Sequence, residues 1–323
     1  MDQRWSFAAL ALSAALASAA GAIPAAAPLL REMRWIEADV PRAELVHLLT
    51  TRAAACLAPP SSAADAEQIA IGRAMFAAPL LLGGQAARSG ISCAACHVGG
   101  KGNAHFVFPG VSGMPGTADV TSSLFSTRRG DGIVNPKPIP DLAADPPKIS
   151  HDPASPALRA FLRGLIVEEF DGLEPPARIL DGLAAYIRAL RNDCGGTAQR
   201  GVADEAEGAI AAVLAARNAL AAADPASAHL LIGAARSALG RIDERFAGNP
   251  AIAHLLARRD DELRRLQAEV AGRIAAKARL TRWTRAMARD LAALRAAEPG
   301  SFYTATTLGR ALNTADPRAR QGG

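Results

Sequence analysis

Aromatic residues make up 4% of this 323-residue chain, and there are four cysteines. Residues that favour strands are too scattered to build a large sheet. Beyond the first thirty residues no apolar run is long enough to span a bilayer. A second Cys-x-x-Cys pair is missing, and with it the usual ligand set of a structural zinc site. Alanine dominates what remains, and half of the residues are hydrophobic. Alanine loses least on entering a helix. The expectation is a mainly α protein of two domains with ample apolar surface for a core.

Residues 1–27 read as a secretory signal. Arg4 supplies the positive start, Phe7 to Ala20 is apolar or small, and Ala17-Ser18-Ala19 and Ala20-Gly21-Ala22 offer small-residue cleavage sites. An uncleaved anchor is the alternative, but Gly21, Pro24 and Pro28 interrupt a membrane helix. Residues 28–62 form a short amphipathic helical segment with Leu45, Leu48 and Leu49 on one face, ended by Pro59-Pro60.

The chemistry concentrates in Ser92-Cys93-Ala94-Ala95-Cys96-His97. Cys-x-x-Cys-His is the spacing of c-type haem attachment. Two thiols one helical turn apart can add to the two vinyl groups of the porphyrin. The next residue then lies where its imidazole can ligate the iron. Zinc and a redox dithiol are the competing readings. Cys56 and Cys194 bracket the motif, and in an oxidising compartment they could join and staple the ends of its segment. Two free thiols are the alternative. Arg128 and Arg129 are candidates for holding the haem carboxylates, since guanidinium matches carboxylate geometry.

Residues 63–195 form the segment organised around the motif. A helix is expected over Ala66–Phe76, a long Gly/Pro-rich stretch runs to Ser150, and helices return over Pro156–Val167 and from Pro175-Pro176 to Leu190. The text Gly72-Arg73-Ala74-Met75-Phe76, then Gly90-Ile91-Ser92-Cys93-Ala94-Ala95-Cys96-His97, resembles the di-haem cytochrome c peroxidase family and small c-type cytochromes. Ala184 to Leu190 is similar to the last helix of a cytochrome c domain. The resemblance covers roughly 40% of the chain and is specific at the haem motif. It implies one covalent haem c, a cytochrome c-like fold with long haem-wrapping loops, and an electron-transfer or peroxidase-like role. The family carries two haem motifs; this chain carries one. It also has Val167-Glu168-Glu169-Phe170 before Asp171-Gly172, where the family commonly has a Met or Tyr.

Met114, in Gly113-Met114-Pro115-Gly116, is the first candidate for the sixth iron ligand, because a thioether suits electron transfer. His105 is the second. Met75 and His151 read better as a core residue and a helix-start residue. An open iron is the alternative, with Glu168 or Glu169 as an acid/base group.

Residues 196–323 read as an α-helical bundle. Asp224-Pro225 and Asn249-Pro250 each look like an N-cap followed by proline, dividing the region into helices near 203–222, 226–247 and 251–297. The last is too long for one globular helix, so a break is expected near Gly272 to Lys277. His229, His254 and Met287 read as bundle residues rather than ligands. The Arg-rich stretch 258–295 and the pI of about 9.4 suit an acidic redox partner or a membrane surface. Export excludes nucleic acid. The resulting expectation is an exported, periplasmic or secreted mono-haem cytochrome. Its bundle docks it on a redox partner or joins copies of it. A peroxidase-like enzyme and a haem-carrying assembly subunit are the alternatives.

Overall fold

The computed structural model describes residues 29–53, 56–193, 196–270 and 274–315. The signal read at residues 1–27 lies outside the described residues, as does Cys194. The chain is mainly helical. After a 3-10 turn at Arg31–Trp35 come α1 (Arg42–Thr50) and β1 (Thr51–Ala53), followed by α2 (Ala63–Phe76) and two short helices, α3 (Gly84–Ser89) and α4 (Cys93–Cys96). A long loop follows, carrying only the two-residue strands β2 (Thr117–Ala118) and β3 (Lys137–Pro138), which pair antiparallel. Then come α5 (Ala157–Gly164), extended by a π turn to Glu169, α6 (Ala177–Ala189) and β4 (Thr197–Gln199). The bundle is α7 (Val202–Ala221), α8 (Pro225–Arg245), α9 (Pro250–Ala268) and α10 (Ile274–Ala297), and α11 (Ala305–Ala315) closes the described chain.

Local chemistry accounts for the helix starts. Ser62 accepts the Asp65 amide at 3.1 Å and Asp65 accepts the Ser61 amide at 2.8 Å, so α2 begins on a reciprocal cap. Asp224 accepts the Ser227 amide at 3.0 Å and Asn249 the Ile252 amide at 3.2 Å, each followed by proline as the sequence suggests. The expected break in the last long helix falls slightly early: α9 stops at Ala268 and α10 starts at Ile274. The expected helix over residues 156–167 is α5 in its first part only, because its end widens into the π turn.

The crossing of α2 and α6 sets the position of α4. Gly72 and Gly182 face each other there. A Cβ on Gly72 would lie 2.0 Å from the Gly182 carbonyl oxygen, and a Cβ on Gly182 would lie 2.5 Å from Ile71. The two backbones therefore touch, which no larger residue permits. On its other side α2 packs against α7 and α8. One apolar core cluster thus includes Trp35, residues of the motif segment, Trp283 and Tyr303. Scarce aromatics are no handicap in the bundle. Ala209, Ala212, Ala216 and Ala219 of α7 and Ala228, Ala235 and Ala238 of α8 are buried, and such small side chains let the helices approach closely.

The ends of the motif segment are tied together. β1 pairs antiparallel with β4, Thr51 opposite Gln199, and Leu57 bridges Leu190. The Arg191 amide donates to the Cys56 carbonyl at 2.9 Å. Cys56 is disulfide-bonded, whereas Cys93 and Cys96 are free thiols. Non-reducing peptide mapping of the protein is expected to recover Cys56 linked to Cys194; recovery of both alkylated without prior reduction would refute the staple. Reduction should lower stability by about 4–5 kcal/mol on the chain-entropy model for a loop of this length.

Candidate functional site

α4 is a single turn, and the His97 amide closes it by donating to the Cys93 carbonyl at 2.8 Å. Gly99 and Gly100 then take φ of 64° and 84°, a left-handed reversal that turns the chain back along the motif. The Asn103 side chain donates to the Ala95 carbonyl at 2.9 Å and holds the returning loop against α4.

His97 is oriented from the loop opposite. Its Nδ1 lies 3.1 Å from the Pro140 carbonyl oxygen. A carbonyl only accepts, so Nδ1 carries the proton and Nε2 keeps the free lone pair. This is the arrangement that fixes tautomer and ring direction in metal-ligating histidines. Burial lowers the His97 pKa to about 4, against the opposing pull of the Pro140 carbonyl and the Asp141 charge. The imidazole is therefore neutral at neutral pH, which ligation requires. Phe76 of α2 stands 6.4 Å from the imidazole, ring to ring, and Tyr186 of α6 stands 5.2 Å from Phe76. The glycine crossing thus places Phe76 against the imidazole and Tyr186 behind Phe76.

Burial pushes the Cys93 thiol up to about 11, partly offset by a backbone hydrogen bond. It pushes the Cys96 thiol up to about 12, with the neighbouring Cys93 adding to the shift. Both thiols stay protonated at neutral pH yet keep some accessible surface. A redox or zinc-binding Cys-x-x-Cys pair works as thiolate, in surroundings that lower the pKa. Here the surroundings raise it. Among the described residues no three His, Cys, Asp or Glu side chains converge as a metal cage.

Beside the motif lies a cavity of about 940 Å³, bordered by Ala94, Ala95 and His97, by Trp35, and by Ala74 and Tyr186. That volume is at the upper end of ordinary cofactor and ligand clefts. Its cationic wall includes Arg52, Arg73 and Lys101. Arg52 pairs with Asp204 at 2.8 Å, and its buried Nε has no hydrogen-bond partner. Arg73 makes no ion pair among the described residues.

The structure distributes the sequence candidates unevenly. Cys93, Cys96 and His97 sit together on α4 and the residue after it. His105 borders the cavity, but its Nδ1 lies 2.9 Å from Glu37 and its Nε2 3.6 Å from Glu44. Met114 is 73% exposed at a loop turn and is not on the cavity wall. Arg128 and Arg129 are also off that wall. Arg129 is held by Glu168, whose carboxyl that hydrogen bond keeps below the usual range. Glu169 moves the other way, its pKa raised by burial, and its buried Oε2 has no partner. Met75 is buried in the core.

Among the cavity residues, Arg52 and Arg73 had no assigned role in the sequence pattern, and His47 read as a surface or cap histidine. Arg73 alone carried a signal, since it stands one helical turn before Phe76. Arg52 and His47 reach the cavity only because the N-terminal segment folds back. The Val107 amide donates to the Trp35 carbonyl at 3.0 Å, and Ile36 bridges Phe106. Glu32 of the same segment pairs with Arg200 at 3.0 Å and with Arg245 of α8.

Compared with known proteins, the chain matches no family, no curated protein and no solved structure.

Proposed function

We propose that this protein is an exported c-type cytochrome that holds one haem through Cys93, Cys96 and His97 and exchanges electrons with a partner protein. One observation carries the reading: the imidazole that follows the Cys-x-x-Cys turn is neutral, aimed by the Pro140 carbonyl, and borders a cleft of about 940 Å³. His97 borders the cleft, and Cys93 and Cys96, which are not on its wall, share the single turn of α4 with the lining residues Ala94 and Ala95. Cys93 and Cys96 would hold the porphyrin as thioethers, and Nε2 of His97 would hold the iron. Haem bound there supplies a one-electron couple. The chain's own part is to bind and to exclude water. The Pro140 carbonyl keeps the Nδ1 proton, Phe76 packs against the ring, and Arg73, with Arg52 beside its partner Asp204, would supply the cavity's cations for the haem carboxylates in place of Arg128 and Arg129.

The exposure of Met114 favours a second reading, in which the iron keeps an open face and binds small ligands. A peroxidase-like activity would need that opening and a proton-moving group close to it. Two measurements test these readings. Acid–acetone extraction of the exported protein should leave the pigment on the polypeptide; complete extraction would sink the cytochrome reading. Carbon monoxide added to reduced protein should then shift the Soret band within seconds, and Met114→Ala should leave both spectrum and binding unchanged. A wild-type spectrum indifferent to carbon monoxide, altered by Met114→Ala, would instead make Met114 the ligand and the protein a closed carrier.

A further inference from the structure

The outer face of α9 and α10 carries arginines that the rest of the molecule leaves unpaired. The two helices lie side by side, joined by the Trp283 Nε1 hydrogen bond to the Arg259 carbonyl at 3.0 Å and by Arg259 to Asp290 at 2.6 Å. Four of their arginines have carboxylate partners: Arg259, Arg264 with Asp261, Arg279 with Glu269, and Arg295 with Glu207. Five do not. Arg258 and Arg265 on α9, and Arg282, Arg285 and Arg289 on α10, are exposed and form no ion pair among the described residues. Their spacings, seven residues on α9 and three and four on α10, align them along each helix.

All five lie on one side. On α9 the core-facing residues are Leu256, Leu263 and Leu266, and on α10 they are Leu280, Met287 and Leu294, all buried. Arg258 and Arg265, and Arg282 and Arg289, sit on the opposite arcs, away from α7 and α8. The α10 row is about 10 Å long at 1.5 Å per residue, and a neighbouring helix axis lies about 8–10 Å away. Arg282, Arg285 and Arg289 thus form a cationic row on α10, whereas on α9 the half-exposed Asp261 and Glu262 stand between Arg258 and Arg265. Like charges held this close repel one another, so the arrangement opposes folding unless something anionic covers it.

We propose that this face adsorbs the protein onto an anionic phospholipid surface. An acidic protein is the competing occupant, and the surface chemistry disfavours it. Stable protein interfaces have an apolar or aromatic centre. None of the large hydrophobics exposed among the described residues lies on α9 or α10, and the α10 row is flanked by the exposed alanines Ala278 and Ala292. A plane of headgroup phosphates needs no such centre, because it is met by charge alone. This inference does not depend on the haem reading.

The test is co-sedimentation of the mature, exported protein with vesicles. Binding to phosphatidylglycerol/phosphatidylcholine vesicles is expected at low salt, with loss of binding in about 0.5 M NaCl, where the Debye length falls to a few ångströms. Arg282→Gln/Arg285→Gln/Arg289→Gln should weaken binding at least about tenfold, each residue acting near the surface. Arg264→Gln/Arg295→Gln, which removes two paired arginines, should change it little. Matching thermal melts establish that both variants are folded. The proposal is overturned if the protein ignores anionic vesicles or binds neutral phosphatidylcholine equally well. It is equally overturned if the triple variant binds like wild type. Binding to soluble polyglutamate without binding to vesicles would assign the face to an acidic protein instead.

Discussion

The double substitution Cys93→Ala/Cys96→Ala is expected to abolish covalent pigment completely while leaving the polypeptide foldable. Attachment needs both sulfurs, and no other free thiol stands near: Cys56 is already in a disulfide. Alanine is tolerated at both positions, since α4 already reads Cys-Ala-Ala-Cys and alanine favours a helix. On a denaturing gel, the haem signal at the protein's mobility should vanish in the double variant and persist in the wild type. His97→Ala should behave differently, keeping the thioethers but losing the axial nitrogen that the Pro140 carbonyl aims. Its visible spectrum should move to high spin without loss of covalent pigment. Pigment that survives the double cysteine variant would place attachment elsewhere and overturn the site.

Gly72→Val should be the most damaging single change to the fold. A Cβ at position 72 meets the Gly182 carbonyl oxygen at 2.0 Å and the Tyr186 Cβ at 2.6 Å, so even alanine must drive α2 and α6 apart. Valine adds two methyl groups to that collision. The helices would separate along a core that includes Ile71, Ile179 and Leu183, each at most 1% exposed. Overpacking alone costs about 1–3 kcal/mol. Opening a backbone contact at the centre of the core should take the total beyond about 4 kcal/mol, in the range reserved for severe core lesions. For a chain of this size that is a melting-temperature drop of roughly 6 °C or more. A melt within about 1 °C of wild type, a shift matching less than about 1 kcal/mol, would show that the crossing is looser than described. The same variant should disturb His97 spectroscopically, because Phe76 and Tyr186 lean on that crossing.

The sequence alone determined the elements whose causes are local. The caps at Ser62, Asp224 and Asn249 follow from short polar side chains reaching the next turn. The bundle helices follow from apolar residues recurring every three or four positions. The motif Cys93-Ala94-Ala95-Cys96-His97 is local as well, since five residues in one turn place two thiols and an imidazole together whatever surrounds them. Tertiary structure decided what depends on distant chain meeting it. Pro140, 43 residues from His97, supplies the carbonyl that aims the imidazole. Arg128 and Arg129 looked suited to carboxylates because they are a pair of arginines in a loop. The fold gives Arg129 to Glu168 and brings Arg52 and Arg73 to the cavity instead. Met114 has the neighbours of a ligand turn but faces solvent. That α2 packs on α6 with one face and on α7 and α8 with another was likewise decided by the tertiary structure. A charge or a sulfur can be read from sequence, but which partner reaches it is settled by contacts between segments far apart along the chain, and no local periodicity encodes those.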